Sequence, residues 1–298
     1  MRLFRLHMKT SAKCREELIN YCLKNSVLPI GWSYLHNEFD NLDSGKDLSD
    51  AHVRKHGKTK KSLKWFAELQ IDDLIWTRDL NGIYYLCRVK ALPKAEYIPD
   101  MDIGAVVSVD IVKVGICVPG LIVARFHQSN GHNPAIQPIN DEMIGIYSKE
   151  YYNQLSGQSV YEIETHSYDL FTMLPPLDLE ELVIDYLQIK YDYYLSKNSV
   201  AKLDTTIKVE CELYPKNPNF KPAVVQVKHN SSDYCQKCYS DYVKEGKKVF
   251  LFFADEKYGD DVDEVICIKK NELEQFAFDH LDILPVSIQN WIQLCKKN

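Results

Sequence analysis

The chain has 298 residues, 45% hydrophobic and 26% charged, with a formal net charge of −6. No apolar run approaches the eighteen or so residues of a membrane span, and the acidic balance argues against a protein that holds nucleic acid by electrostatics alone, while leaving room for an acidic, metal-binding centre. Nine cysteines without an export signal point to reduced thiols in a cytoplasm.

In chain order, residues 11–25 (SAKCREELINYCLKN) space Cys14, Leu18, Tyr21 and Cys22 for one helical face. In VLPIGWSYL, Pro29 and Gly31 then break the helix before an aromatic, strand-like piece. Residues 40–64 read as a loop or weak helix, and the basic run VRKHGKTKKSLK within them as a solvated loop. From there strands dominate: DDLIWTRD, GIYYLCRVKAL, AVVSVDIVKVGICV and LIVARFH. Asn81-Gly82 between the first two is a strong hairpin signal. In the third, Val107, Val109 and Ile111 alternate with Ser108 and Asp110, as in a half-buried strand. Residues 1–158 are therefore expected to form a β-rich domain, a strongly curved sheet or barrel, followed by a linker over 159–176.

The second domain is expected over residues 177–298. FTMLPPLD supplies a Pro-Pro stop and Asp178 as an N-cap. Residues 179–195 then place Leu179, Leu182, Val183, Tyr186 and Leu187 on one helical face. TTIKVECELYP and PAVVQVKHN, joined by KNPNFK, read as a hairpin. A helix at 234–244, strands at 247–254 and 264–270 and a terminal helix complete a mixed sheet flanked by helices. The fold class is thus α+β and α/β in two domains.

Alternation in that hairpin sorts its chemistry. Lys208, Glu210 and Glu212 share one face, against Val209, Cys211 and Leu213; Val224, Gln226 and Lys228 share a face, against Val225 and Val227. An edge strand with one face in water accounts for Gln226 and Lys228 as well as a site does. Pairing the strands, however, gathers an acid, an amide and an amine at one end of a sheet. Oxygen donors suit magnesium, and a lysine beside them orients or deprotonates a water and offsets charge on a phosphate.

This order resembles the PD-(D/E)xK nuclease superfamily over residues 177–255, nearest to its restriction-endonuclease, Mrr-like branch with VVQVK strands. The resemblance puts Glu210 at the first acidic position, Gln226 and Lys228 at the Q-x-K variant of the second motif, and Glu180 or Glu181 of DLEELVIDYL at the helix-borne carboxylate. Glutamine replaces the usual second carboxylate, and without a proline-aspartate pair Glu212 competes with Glu210. What the resemblance implies is a magnesium- or manganese-dependent DNA endonuclease that restricts foreign DNA, with modified DNA among its possible targets. Glu210 and Gln226 would hold the metal and the cut would leave a 5′-phosphate. Double-strand cutting adds the expectation of a homodimer. The rival is a non-catalytic nucleic-acid or protein-binding module on a nuclease-like fold; RNA as substrate is a third reading.

IGWSYL and DDLIWTRDLNGIYYLCRV look like the EVE/PUA/YTH group of β-barrels over about 25–125. That likeness implies an aromatic base pocket formed by Trp32, Tyr34 and Trp76, with Arg78 beside it, each base stacked there contributing roughly 1–3 kcal/mol. Core packing is the competing account for each tryptophan. GIYYL lacks the second strand of a GIY-YIG nuclease. His127, Asn130 and His132 lack the zinc cysteines and helix of an HNH site. Cys235 and Cys238 form a lone C-x-x-C, read as two helix cysteines. With no P-loop, no nucleotide cofactor is expected.

Overall fold

The first-half strands assemble as one sheet because their alternating residues leave an apolar face to bury. The computed structural model describes residues 1–127, 134–163, 169–197, 209–230 and 234–296. Its described residues give β1 (Leu3–Leu6), α1 (Arg15–Asn25), β2 (Val27–Ile30), α2 (Gly45–His56), α3 (Lys61–Ala67), β3 (Leu74–Arg78), β4 (Tyr84–Val89), β5 (Lys94–Ile98), β6 (Ile103–Gly115), α4 (Gly120–His127), β7 (Ile136–Pro138) and α5 (Glu142–Ser156). The strand order is β2-β6-β4-β3-β1-β7, with β5 also paired to β6. The sheet curls into a half-barrel around Phe4, Leu6, Leu28, Ile75, Cys87 and Val107. Asn81-Gly82 makes the expected turn: Gly82 has φ +78°, and β3 and β4 pair antiparallel from Leu74↔Arg88 to Arg78↔Tyr84.

Several local expectations give way to tertiary contacts. The aromatic piece after Ile30 is a 3-10 turn, Ser33–Asn37, rather than a strand. Trp32 takes φ +67°, and the Asp102 carboxylate accepts from the Ser33 amide at 3.0 Å and its hydroxyl at 2.9 Å. Gly104 makes room for this turn, since a Cβ there would lie 2.4 Å from the Gly31 carbonyl. Pro29 is not what ends helix α1, which stops at Asn25 with Ser26 at φ +53°; it sits within β2, at the sheet edge, where its missing N–H costs no ladder bond. Residues 40–64 hold two helices; Ser44 and Asp47 close a capping box on α2, and the basic run spans the end of α2, its Gly57 cap and the start of α3. LIVARFH is helix α4, because Ile122 and Phe126, four residues apart, are the positions it buries.

Packing divides the chain into two compact units, Met1–Val118 with Ile122–Glu164, and Pro119–Leu121 with Thr165–Asn298. The second contains α6 (Leu170–Met173), α7 (Pro176–Lys190), β8 (Tyr193–Lys197), β9 (Cys211–Pro215), β10 (Ala223–Lys228), α8 (Ser240–Lys244), β11 (Lys248–Phe253), β12 (Val265–Cys267), α9 (Lys270–Asp279) and α10 (Val286–Lys296). Its strand order is β12-β11-β10-β9-β8, parallel from β10 to β12 and antiparallel from β8 to β10. β10 is therefore central and both its faces are buried, which removes the edge-strand account of Gln226 and Lys228. β8 was not anticipated, and Lys208, with the first residues of TTIKVECELYP, lies outside the described residues.

Trp76 is a core residue of β3, fully buried, its indole N–H donating to the Ser148 hydroxyl of α5 at 3.0 Å. Trp76→Ala is expected to destabilise the first unit by about 3–5 kcal/mol through the cavity it opens. Ser148→Ala, which orphans the indole N–H, should cost about 1–3 kcal/mol. Chemical denaturation of both variants measures this ordering, and a Trp76→Ala protein as stable as the parent contradicts the core assignment.

Candidate active site

The site forms where the polar end of one β10 face meets β9. On that face Val224 packs with Val249, Leu251, Phe253 and Tyr239, and Gln226 and Lys228 continue it toward the strand end. The ladder pairs Glu212 with Val224 and Cys211 with Val225, and Glu210, the residue just before β9, donates its amide to the Val225 carbonyl at 2.8 Å, which brings it beside Gln226. Their side chains accordingly meet: Gln226 Nε2 donates to Glu210 Oε1 at 2.5 Å, and Lys228 Nζ to the same oxygen at 3.0 Å. Gln226 is 2% exposed, whereas the Lys228 side chain is 34% exposed and its ammonium lies 5.6 Å from the Tyr234 ring centroid. Sequence alternation had left Glu212 equal to Glu210. Glu212 pairs instead with Lys247 at 3.1 Å, so Glu210 is the acid that joins Gln226 and Lys228.

α7 carries the second acid. It starts at Pro176, suited to the first helical position, behind Pro175, and packs against β10. Glu180 is half-buried and Glu181 exposed. Burial raises the Glu180 carboxyl to about 7; the Glu210 charge adds to the rise and Lys228 opposes it. Glu180 therefore belongs to the same electrostatic neighbourhood as the β9–β10 pair. Glu181, its alternative, acts on Glu180, but its own carboxyl is raised by burial and then by Asp185, with no contribution from Glu210 or Lys228.

Two further residues complete the surroundings, and neither was singled out for this purpose in the sequence. His229, next after Lys228, has Nε2 2.9 Å from the Leu174 carbonyl, so its protonated nitrogen ties the end of β10 to the chain entering α7. Asp178 is no N-cap: Pro175 occupies that position, and Asp178 is 1% exposed within the helix. Its Oδ2 accepts from the Gly120 amide at 3.0 Å, while Oδ1 is buried without a hydrogen bond of normal geometry among the described residues, the Ser287 hydroxyl offsetting part of the cost of its charge. Burial, above all, raises its carboxyl to about 7. Gly120 is needed for this approach, because a Cβ there would sit 2.5 Å from that of Leu177.

The donor set fits a hard divalent cation in part. Glu180 and Glu210 supply oxygen, but the Gln226 nitrogen rather than its oxygen meets Glu210; the reverse orientation would set an amide oxygen against a carboxylate. Gln226 thus steadies Glu210 instead of acting as the ligand expected of it. Among the described residues no group of three or more His, Cys, Asp or Glu side chains could cage a metal. Two carboxylates with water and substrate phosphate suit magnesium, which keeps much of its hydration, and do not suit structural zinc.

In the first unit the four residues expected to form a base pocket separate. Trp76 has no face to offer a base, which corrects its assignment as a pocket wall. Trp32 is half-buried and meets the His52 ring edge-on at 5.9 Å. Tyr34 is exposed, with its hydroxyl 2.9 Å from His56 Nε2 and Lys55 over its ring. Arg78 lies over the Tyr84 and Phe126 rings at 5.6 and 5.4 Å. The Cys235 and Cys238 sulfurs are 3.1 Å apart at a 3-10 turn, and the Cys238 contact lowers the Cys235 thiol pKa. Of the set-aside His127, Asn130 and His132, the last two lie outside the described residues. Comparison of the chain with family models, curated proteins and solved structures finds no match.

Buried acids make this unit's stability depend on pH. An acid whose folded pKa is raised holds its proton longer when folded, so its stabilisation is complete below its unfolded pKa and disappears as pH climbs through the folded value. For Asp178 that window runs from 3.8 to about 7. Asp178→Asn is expected to raise the melting temperature at pH above about 7, where the wild type buries a charge, and to change it little near pH 4. Melting curves at the two pH values measure the difference; an equal shift at both would mean that the carboxyl does not titrate in this window.

Proposed function

We propose that the second unit is a PD-(D/E)xK-like nuclease and that the chain is a magnesium- or manganese-dependent DNA endonuclease. The observation that carries this reading is the convergence of Gln226 and Lys228 on one carboxylate oxygen of Glu210, with Glu180 adjacent from α7. Buried, central strands rarely carry such a trio without a use for it, because each polar group needs a partner to offset its lost hydration.

Bound metal would supply a Lewis acid and a water of lowered pKa. Glu210 and Glu180 would hold it. Gln226 fixes the orientation of the Glu210 carboxylate, and the partly exposed Lys228 ammonium reaches out to stabilise charge on the phosphate. Hydrolysis then forms a bond between the water oxygen and phosphorus, breaks the bond to the 3′ oxygen, and leaves a 5′-phosphate and a 3′-hydroxyl. Restriction of foreign or modified DNA, action as a homodimer, and a base-reading role for Trp32 and Tyr34 in the first unit belong to the same proposal. The shortage of carboxylate ligands favours one alternative, a non-catalytic nucleic-acid or protein-binding module on this fold.

Metal-dependent cleavage separates the two. Lys228→Ala and Glu210→Ala should each abolish nicking of plasmid DNA in magnesium, Glu212→Ala should retain it, and a chelator should stop the wild type. Cleavage that survives Glu210→Ala but not Glu212→Ala would transfer the ligand role to Glu212.

Metal uptake has its own signature. Because the Glu180 carboxyl sits near 7, magnesium binding close to that pH should release a proton, and Glu180→Gln should remove the release. Calorimetry in buffers of different ionisation enthalpy reads the proton count directly. An unchanged count in Glu180→Gln excludes Glu180 as a ligand.

A further inference from the structure

Among the described residues of the first unit, cations gather without counterions. His7, at the end of β1, is half-buried and held far below its ordinary range, at about 4, by burial and then by Arg5, Arg15, Arg78 and Lys9. These come from three elements: β1 and the residues after it, α1, and β3. Arg5 is fully buried and lowered to about 10 by burial and then by Arg125 of α4. Arg15 is lowered by burial and then by Arg78. Elsewhere in this unit Arg2 pairs with Asp73 and Arg88 with Asp72, each at 2.6 Å, while Arg54 lies over the Phe39 ring at 5.2 Å. Among the described residues, Arg5, Arg15, Arg78 and Arg125 make no such ion pair. In a chain of net charge −6 that concentration is not a consequence of composition.

The cluster is built rather than merely charged. Arg5 Nη1 donates to the Pro134 carbonyl at 2.8 Å and Nη2 to the Gln137 side chain at 2.9 Å, while its buried Nε has no partner. Arg78 is held against the rings of Tyr84 and Phe126, and its Nη1 donates to the Tyr84 hydroxyl at 3.3 Å. His7 packs edge-on against the same Phe126 at 5.0 Å. Ring faces hold a guanidinium in place through cation–π attraction without neutralising it, so Arg78 keeps both its charge and its planar fork. Arg15 and Lys9 are exposed beside it. Removing buried or half-buried cations from water without a counterion is costly, and an anion with several oxygens would offset that cost at several of them at once.

We infer that the surface formed by His7, Lys9, Arg15 and Arg78 binds phosphodiesters of a nucleic-acid backbone, with Arg5 and Arg125 as the positive ground beneath it. Phosphate oxygens match the guanidinium fork, and a repeating phosphate chain matches cations spread over several elements. The inference rests on the nuclease reading for its choice of ligand, and it assigns Arg78 to the backbone rather than to a base. Contacts of this kind set register and affinity and carry no sequence information of their own.

The test uses the full chain carrying Lys228→Ala, in chelator, so that binding is measured without cleavage. Anisotropy of a labelled DNA duplex over a range of salt gives the dissociation constant and its salt slope. Arg15→Gln and Arg78→Gln should each weaken binding several-fold irrespective of sequence and reduce the slope by about 0.9, the loss of one neutralised phosphate. Lys94→Gln, whose ammonium is already paired with Glu96 at 2.8 Å, should change neither. Melting curves guard against misfolding of Arg78→Gln, and the exposed Arg15 decides the matter if that variant is unstable. Inorganic phosphate should compete only at concentrations far above those of DNA phosphate. Slopes unchanged in Arg15→Gln, absence of DNA binding altogether, or phosphate competing as well as DNA would each overturn the inference. A reduced slope in a protein that never cleaves DNA leaves the phosphate surface standing and removes the nuclease; cleavage with unchanged slopes does the reverse.

Discussion

The antiparallel register of β9 on β10 determines which side chains meet in the second unit. With Cys211 opposite Val225, Glu210 enters β9 beside Gln226, whose amide donates to its carboxylate, and Lys228 reaches the same oxygen from two residues along. A slip of one residue would turn Glu210 to the other side of the sheet and bring Cys211 opposite Gln226. The register is held by apolar residues on both faces of β10, since Val224, Val225 and Val227 are all buried. The polar trio therefore depends on hydrophobic packing for its alignment. β11 adds a parallel ladder along the whole length of β10 and keeps that strand central.

Around this register the unit collects carboxyl groups in places that disfavour their charge. Glu180 and Asp178 leave the same helix, two residues apart, and burial raises both to about 7. Their surroundings separate their uses. Glu180 shares its field with Glu210 and Lys228, so the cost of its charge is lowered by any cation that arrives there. Asp178 lies on the Gly120 amide, with one oxygen lacking a hydrogen bond of normal geometry among the described residues, and fits a structural acid that fastens residues 119–121 to α7. His229 links the strand to the same helix entrance, which ties the position of Glu180 to that of Lys228.

The first unit shows how the same residue type serves opposite ends. Trp76, in the middle of β3, is wholly enclosed and satisfies its indole through Ser148. Trp32, released from the sheet at φ +67°, is only half-buried and meets histidine. Their sequence neighbourhoods did not separate them, because an aromatic residue next to β-branched ones suits a core and a pocket wall alike. Arg78 follows Trp76 by two residues on β3, yet its guanidinium lies over aromatic rings among other cations.

What the sequence by itself determined was local and periodic. Asn81-Gly82 specified its hairpin because a tight turn needs positive φ, and alternation put Gln226 with Lys228 on one face of PAVVQVKHN and Glu210 with Glu212 on one face of ECELYP before any contact was known. Leu18 and Cys22, or Leu182, Val183 and Tyr186, marked buried helical stripes through the 3.6-residue period. Tertiary structure decided everything that depends on a distant partner. LIVARFH became a helix through what Ile122 and Phe126 could bury, and Asp178 left the cap for the interior because Gly120 offered it an amide. Glu210 was distinguished from Glu212 only when Lys247, thirty-five residues along the chain, took the latter. The unpaired arginines around His7 were invisible for the same reason: a charge in sequence carries no sign of its neighbours, and electrostatic energy is set by distances that only folding supplies.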